Sequence, residues 1–253
     1  MKDLTDTICY CINLKRRIDR RKQFEAQQAV YTMPPLHFIE AVVGSSIDVK
    51  KDDRIGLHTR IQILTKYRRS NYEIDTPGAV GASLSHLKAW KAFLKTDYRY
   101  ALIMEDDAEL PATLSMMVRD CAKDLPDDWD MWLLGWNYNT IDRKSTVESP
   151  FKQVLQFFGA QSYILTRKAA KCLIEYALPV ENHIEYYMTN VAFISFFKII
   201  RHPGLKINQM DRVLNITDVQ TNRGGCPVCI IDDKKEATSK REENINIYNQ
   251  VKN

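Results

Sequence analysis

Short runs of bulky apolar residues alternate with longer segments of helical period from Ile8 to Ile200. That alternation admits few folds: strand and helix in turn give a sheet with helices packed on both faces. The strand-like runs are Ile8 to Leu14, His37 to Val43, Tyr100 to Met104, Met131 to Gly135, Phe157 to Leu165 and Ile194 to Ile200. Between them a helix is expected from Arg17 to Ala29. A second follows the Pro77-Gly-Ala-Val-Gly81 punctuation, with Val80, Leu84, Leu87 and Leu94 on one stripe. A third follows Pro111, with Leu114, Met117, Val118, Cys121 and Leu125 in register. Thr166 is placed to cap a fourth, and Tyr186 to Ala192 forms a fifth. At 253 residues the chain suits one α/β domain, here 1–231, followed by a charged, Asn-rich tail, 232–253. A chain of this size buries about three-quarters of its unfolded surface and needs no staples.

Composition removes several classes. Thirty-six basic against 32 acidic residues leave +4, and no dense basic run occurs, so nucleic acid is not an expected partner. No apolar run has the length of a membrane span; Val191 to Ile200 is short and carries Lys198. The polar start before Ile8 lacks the pattern of a signal peptide. The expectation is an intracellular protein, peripheral to membranes at most, with reduced thiols. Cys226-Pro-Val-Cys229 has the spacing of half a zinc site, and Cys9 and Cys11, in a buried strand, are poor candidates for the other half.

The most informative stretch is Tyr100 to Leu110. An apolar strand, Tyr100-Ala-Leu-Ile-Met104, runs straight into Glu105-Asp106-Asp107. In an open α/β sheet, ligands bind beyond the carboxyl ends of the strands. Two like charges ~4 Å apart repel by about 4 kcal/mol at an effective dielectric near 20. The triplet therefore reads either as a solvated acidic turn or as oxygen ligands for a hard divalent cation. Two other segments sit well for such a site. After the first strand, Asn13 and the cluster Lys15-Arg16-Arg17 with Arg20-Arg21-Lys22 could surround a phosphate or a base, or simply form a charged first helical turn. Ser85 and His86 lie beside the helical stripe, with Trp90 one turn beyond His86. Residues 48–76 are charged and aperiodic, a candidate mobile loop or irregular helix over a cleft. No nucleophile elbow, Walker loop or dinucleotide fingerprint is present.

Six blocks, in this order, resemble glycosyltransferase family 25: Cys-Ile-Asn-Leu-Lys-Arg-Arg-Ile-Asp-Arg-Arg (11–21), Ile-Glu-Ala-Val-Val-Gly (39–44), Gly-Ala-Val-Gly-Ala-Ser-Leu-Ser-His-Leu-Lys-Ala-Trp (78–90), Ile-Met-Glu-Asp-Asp-Ala (103–108), Asp-Trp-Asp-Met-Trp-Leu-Leu-Gly (128–135) and Ala-Gln-Ser-Tyr-Ile-Leu-Thr-Arg-Lys-Ala-Ala-Lys (160–171). That family holds the bacterial lipooligosaccharide galactosyltransferases and the collagen hydroxylysine galactosyl- and glucosyltransferases. The resemblance implies a GT-A fold, a Rossmann-like mixed sheet flanked by helices. It also implies a UDP-sugar donor, Mn²⁺ or Mg²⁺, a saccharide or hydroxylated protein acceptor, and inversion at the anomeric carbon. By the same likeness Glu105 and Asp107 bind the metal, with Asp106 either a ligand or a support for one; Asn13, Leu14 and Arg17 lie by the nucleotide; Ser85 and His86 face the donor. Glu185 stands where the family usually has Asp and is the candidate general base. Ala82 replaces a frequent Cys, and Ile216-Thr-Asp218-Val matches only loosely. Two alternatives of other classes are a GT-A-shaped binding or scaffold protein without turnover, and a zinc module built on Cys226 and Cys229.

Overall fold

The computed structural model describes residues 4–30, 36–66, 70, 72–142 and 149–210. In chain order the elements are β1 (Thr7–Asn13), α1 (Ile18–Val30), β2 (Leu36–Glu40), α2 (Leu57–Thr65), α3 (Pro77–Leu94), β3 (Tyr100–Glu105), β4 (Ala108–Glu109), α4 (Leu114–Cys121), β5 (Met131–Gly135), β6 (Tyr138–Ile141), β7 (Lys152–Phe158), β8 (Ser162–Thr166), α5 (Arg167–Glu175), α6 (Ile184–Ile194), β9 (Ile199–Arg201) and β10 (Asn208–Gln209).

Among the described residues eight strands form one sheet in the order β2-β1-β3-β8-β5-β9-β7-β6, and β10 pairs with β4 in a separate two-stranded ribbon. β1 runs parallel to both β2 and β3, and β5 parallel to β9; β8 is antiparallel to both β3 and β5, so the sheet is mixed. The expected α/β architecture, a Rossmann-like mixed sheet flanked by helices, is present.

The strand β1 shows why its sequence is apolar at every position. Ile8, Tyr10 and Ile12 enter one core, and Cys9 and Cys11 enter the other. Successive side chains of a strand point to opposite faces, so an unbroken apolar run means both faces are covered. The first core is filled from α3, α5 and α6 by Trp90, Phe93, Leu173 and Met188; the second receives Phe24 of α1 and Leu114 of α4. Each large side chain buried this way contributes about 1.5–3 kcal/mol.

The connections set the position of the site. From β1 the chain passes through α1 on one face to β2 at the sheet edge, then returns through α3 on the opposite face to β3, on the other side of β1. Strand order thus reverses at β1, and a crevice opens at the carboxyl ends of β1 and β3.

Several boundaries differ from the sequence pattern. The apolar stretch 157–165 is two strands, β7 and β8, separated by Gly159 at φ +87°. The stretch 194–200 is not one strand: α6 runs to Ile194, the chain turns through Phe196 at φ +52°, and β9 starts at Ile199. Pro77 begins α3 instead of preceding it, because Thr76 caps the helix by accepting the Ala79 N–H at 3.3 Å. Residues 48–76 are anchored by Ile55, Ile63 and Ile74 in the core and contain the helix α2. The cap at Thr166 is as expected, with its hydroxyl accepting the Ala169 N–H at 3.2 Å. Among the described residues no helix is long and apolar enough to cross a membrane. The 232–253 tail, Cys226, Cys229 and Asp218 lie outside the described residues.

Candidate active site

Parallel pairing sets Ile12 of β1 beside Glu105 of β3, which brings Asn13 and the acidic turn to the same edge of the crevice. Asp106 is turned toward β1 and α1 and is buried. Its Oδ2 accepts from Asn13 Nδ2 at 2.7 Å, and its Oδ1 accepts from Arg20 Nη1 at 2.9 Å. The same guanidinium nitrogen lies 3.3 Å from Asp107 Oδ2. Arg20 therefore spans two of the three acids from the first turn of the helix that follows β1.

Glu105 faces the other way. Its backbone N–H donates to the Gln161 carbonyl at 2.9 Å, and its Oε1 lies 3.3 Å from His86 Nε2. The His86 ring is buried in α3, with its Nδ1 2.8 Å from the Tyr163 hydroxyl. Gln209 closes the third side. Its Nε2 stands 3.5 Å from Glu105 Oε2 and 3.5 Å from both carboxylate oxygens of Asp107. The chain is brought back there by the β4–β10 ribbon and by the Met210 N–H, which donates to the Asp107 carbonyl at 2.7 Å.

These acids are held under electrostatic load. Burial pushes Asp107 up to about 7, and the Glu105 carboxylate adds to the push while Arg20 opposes it. Asp106 is also raised, by burial first, with Arg20 and Asn13 pulling it back. Glu185, in the first turn of α6, is raised by burial and further by the Glu105 charge, while its Oε1 accepts the Gly159 N–H at 3.0 Å.

The crevice is a cleft of about 310 Å³ lined on one side by Leu14, Arg16 and Arg20 and on the other by residues 41–45 and the start of α3. Glu105, Asp106, Asp107, His86 and Gln209 form its floor. The far wall depends on close backbone approach. A Cβ on Gly44 would lie 2.5 Å from the Pro77 carbonyl oxygen, and one on Gly81 would lie 2.6 Å from that of Val42. Ser85 pins the same wall, donating to the Gly81 carbonyl at 2.6 Å and accepting the Val42 N–H at 2.8 Å.

The structure thus gathers Glu105, Asp106, Asp107, Leu14, Ser85 and His86 around one cleft. Asn13 is buried behind it as the support of Asp106. Arg17 pairs with Asp19 at 2.8 Å, and it is Arg16 that lines the cleft. Glu185 lies close enough to feel Glu105 and His86 but is not among the lining residues. Sequence reasoning did not single out Gln209, Gln161 or Tyr163, and it named Arg20 only within a basic cluster. Arg20 was legible in principle, one helical turn beyond Arg16; Gln209 carried no local signal.

A metal was expected at the acids, and the geometry can be tested for it. Among the described residues no three His, Cys, Asp or Glu side chains converge as a self-sufficient metal site. Glu105 and Asp107 do share one neutral amide donor, Gln209 Nε2, and Asp107 is raised by burial first and then by the Glu105 charge. Two carboxylates with the remaining positions left to water and phosphate oxygens is a usual way of holding Mg²⁺-like ions, so the residues fit such a group. Cys9 and Cys11 are free and buried, and burial drives both thiols far up, which suits packing and not metal binding.

Comparison with known proteins adds an independent line. Residues 6–188 match the family model described as glycosyltransferase family 25 (LPS biosynthesis protein). Procollagen galactosyltransferase 2 of Homo sapiens is 29% identical over 148 residues, which is 57% of this chain and 22% of that protein. A protein of Acanthamoeba polyphaga mimivirus named as a glycosyltransferase is 25% identical over 175 residues, 65% of this chain and 51% of its own length. The chain therefore spans about a fifth to a half of these relatives. Among solved structures, a nucleoside-diphosphate-sugar pyrophosphorylase from Vibrio cholerae RC9 superposes with a TM-score of 0.37 at 11% identity, over 80% of this chain and 73% of that one.

Proposed function

The chain belongs to glycosyltransferase family 25, and from that premise we propose that it transfers a hexose, galactose or glucose, from a UDP-sugar to a hydroxyl of a saccharide or protein acceptor. The observation that carries the reading is the convergence of Glu105 and Asp107 on one point of the cleft floor, at the reversal of strand order where α/β sheets bind ligands. Relatives named for galactosyl transfer support galactose as the sugar.

Transfer breaks the bond from the sugar's anomeric carbon to the donor phosphate and forms one to the acceptor oxygen. The acceptor loses its hydroxyl proton, and the nucleoside diphosphate leaves with the electron pair. Glu105 and Asp107 would hold a Mn²⁺ or Mg²⁺ ion, which supplies Lewis-acid neutralisation of the leaving diphosphate when bound. Arg20 pairs with Asp106 at 2.9 Å and reaches Asp107 at 3.3 Å, so one guanidinium is shared by two acids and none is given to Glu105. Arg16 and Leu14 give the nucleotide side of the cleft a cation and an apolar contact. Glu185 is the proposed base. Burial raises its proton affinity, which suits proton abstraction, and it is near enough to Glu105 and His86 for their charges to act on it. A single displacement opposite the leaving group inverts the anomeric centre.

The test is a release assay across several UDP- and GDP-sugars, with Mn²⁺ present or chelated, on the intact chain and on Asp107→Ala. The expected result is turnover of one UDP-hexose that needs the metal and is lost in Asp107→Ala while the far-ultraviolet circular dichroism is unchanged. A fully active Asp107→Ala protein would refute the role given to the acids. No binding of UDP with or without Mn²⁺ would instead favour a scaffold of the same fold.

A further inference from the structure

We infer that Tyr163, itself fixed by Trp90, is a positioning residue that sets which ring nitrogen of His86 carries the proton, so that His86 donates to Glu105. The inference deepens the reading above, since it concerns how the chain presents one of the two proposed ligand carboxylates. It rests on a chain of three hydrogen bonds read in one direction only. Trp90 Nε1 lies 2.9 Å from the Tyr163 hydroxyl, Tyr163 lies 2.8 Å from His86 Nδ1, and His86 Nε2 lies 3.3 Å from Glu105 Oε1.

The first link fixes the rest. An indole N–H can only donate, so the phenol oxygen accepts from Trp90. The phenol has one hydrogen of its own, and among the described residues its other hydrogen-bond partner is His86 Nδ1. Were Nδ1 to donate as well, the phenol hydrogen would be left buried without a partner, so Nδ1 is the acceptor. In a neutral imidazole one nitrogen accepts and the other donates, so the proton sits on Nε2 and is directed at Glu105. Trp90 and Tyr163 are fully buried, and His86 nearly so, which keeps bulk water from the Trp90–Tyr163–His86 links. The rings also restrain one another, with His86 stacked on Tyr163 at 5.7 Å between centroids. Glu105 thus meets a fixed neutral donor on one oxygen, Oε1, and turns the other, Oε2, toward Gln209 and Asp107.

Glu105 could in principle impose the same tautomer from the other end, and the experiment separates the two causes. Metal-free, donor-free protein labelled with ¹⁵N-histidine is examined by long-range ¹H–¹⁵N NMR, with His86 assigned as the signals lost in His86→Gln. These spectra do not depend on the transfer chemistry being as proposed. The expected pattern is a single Nε2–H tautomer that persists in Glu105→Ala and is lost in Tyr163→Phe. A proton on Nδ1 in the unaltered protein would overturn the inference, and so would a tautomer that changes in Glu105→Ala. Should Tyr163→Phe not fold, the other two spectra still decide. Partners behind a metal ligand are typically worth ten- to a hundredfold in metal affinity. Mn²⁺ binding followed by electron paramagnetic resonance should therefore weaken ~10-fold in Tyr163→Phe. Unchanged Mn²⁺ affinity alongside a lost tautomer would remove the positioning role.

Discussion

Replacing Asp107 by Asn should make the metal-free protein more stable at alkaline pH, although it destroys a residue of the proposed active site. Asp107 is displaced from the ordinary 3.8 of an aspartate to about 7, by burial and by the Glu105 charge. Its side chain is only 13% exposed, so solvent screens little of this. The folded state holds the proton more tightly than the unfolded chain. Stability is then greatest below the unfolded value and falls as pH rises toward 7, because ionising Asp107 costs more in the folded protein. At ~1.4 kcal/mol per pH unit the whole loss is about 4 kcal/mol, of which about 3 kcal/mol falls between pH 5 and pH 8. Asn is neutral throughout and escapes that loss. The assay is urea unfolding of both proteins, metal-free, at several values from pH 5 to pH 8. Contributions common to both, including that of Glu185, cancel in the difference. Asp107→Asn should gain about 3 kcal/mol on the unaltered protein across this range. Parallel pH profiles would show that Asp107 is not under the load described. Saturating Mn²⁺ should narrow the gap by stabilising only the unaltered protein.

Other outcomes follow from the same contacts. Arg20→Met leaves Asp106 buried without its ion pair and should cost roughly 3–5 kcal/mol near pH 8, with a smaller loss at pH 5 where Asp106 can take a proton; urea midpoints at the two values check it. Gly81→Ala presses a methyl 2.6 Å from the Val42 carbonyl and should cost about 1–3 kcal/mol while raising the KM for donor, measured by unfolding and by initial rates. Thr76→Ala removes the cap of α3 and should cost ~1 kcal/mol in urea unfolding. Glu185→Gln should lower kcat by at least ~100-fold with little change in the KM for donor, if Glu185 takes the acceptor proton; an unchanged kcat would move that role elsewhere.

What the sequence disclosed was whatever is local. The strand Tyr100–Glu105 and the acids at its end follow from adjacent residues, and the covering of both faces of β1 follows from its unbroken apolar run. Period alone misplaced two strands. In 157–165 the apolar residues continue across Gly159, whose left-handed backbone and N–H to Glu185 break the run. In 194–200 two residues that look like core are exposed, Ile194 at 54% and Phe196 at 88%, so hydrophobicity pointed to a strand where the chain turns. The partners of the acids were hidden for a different reason. Tyr163 lies 77 residues from His86, and Gln209 lies 102 residues from Asp107. Only the sheet order, with β8 beside β3, and the β4–β10 ribbon bring them together.

The arrangement around the acids explains why three of them can sit beside an apolar strand at all. Full neutralisation by side chains would fold well and leave no demand for a cation; none would make folding too costly. Arg20 reaches two of the acids, Asp106 and Asp107, and its shorter contact is with Asp106, the most buried of the three. Glu105 and Asp107 share the neutral amide of Gln209, and Glu105 has the His86 ring besides. Neutral donors satisfy lone pairs without cancelling charge. Burial first, and the Glu105 charge after it, hold Asp107 up to about 7 despite a guanidinium 3.3 Å away. Folding energy spent on that mismatch is returned when positive charge arrives, because whatever binds the folded state and not the unfolded one stabilises it. The division of labour among Arg20, His86 and Gln209 thus stores an electrostatic deficit at one point of the cleft, and that point is where the proposed donor complex would bind.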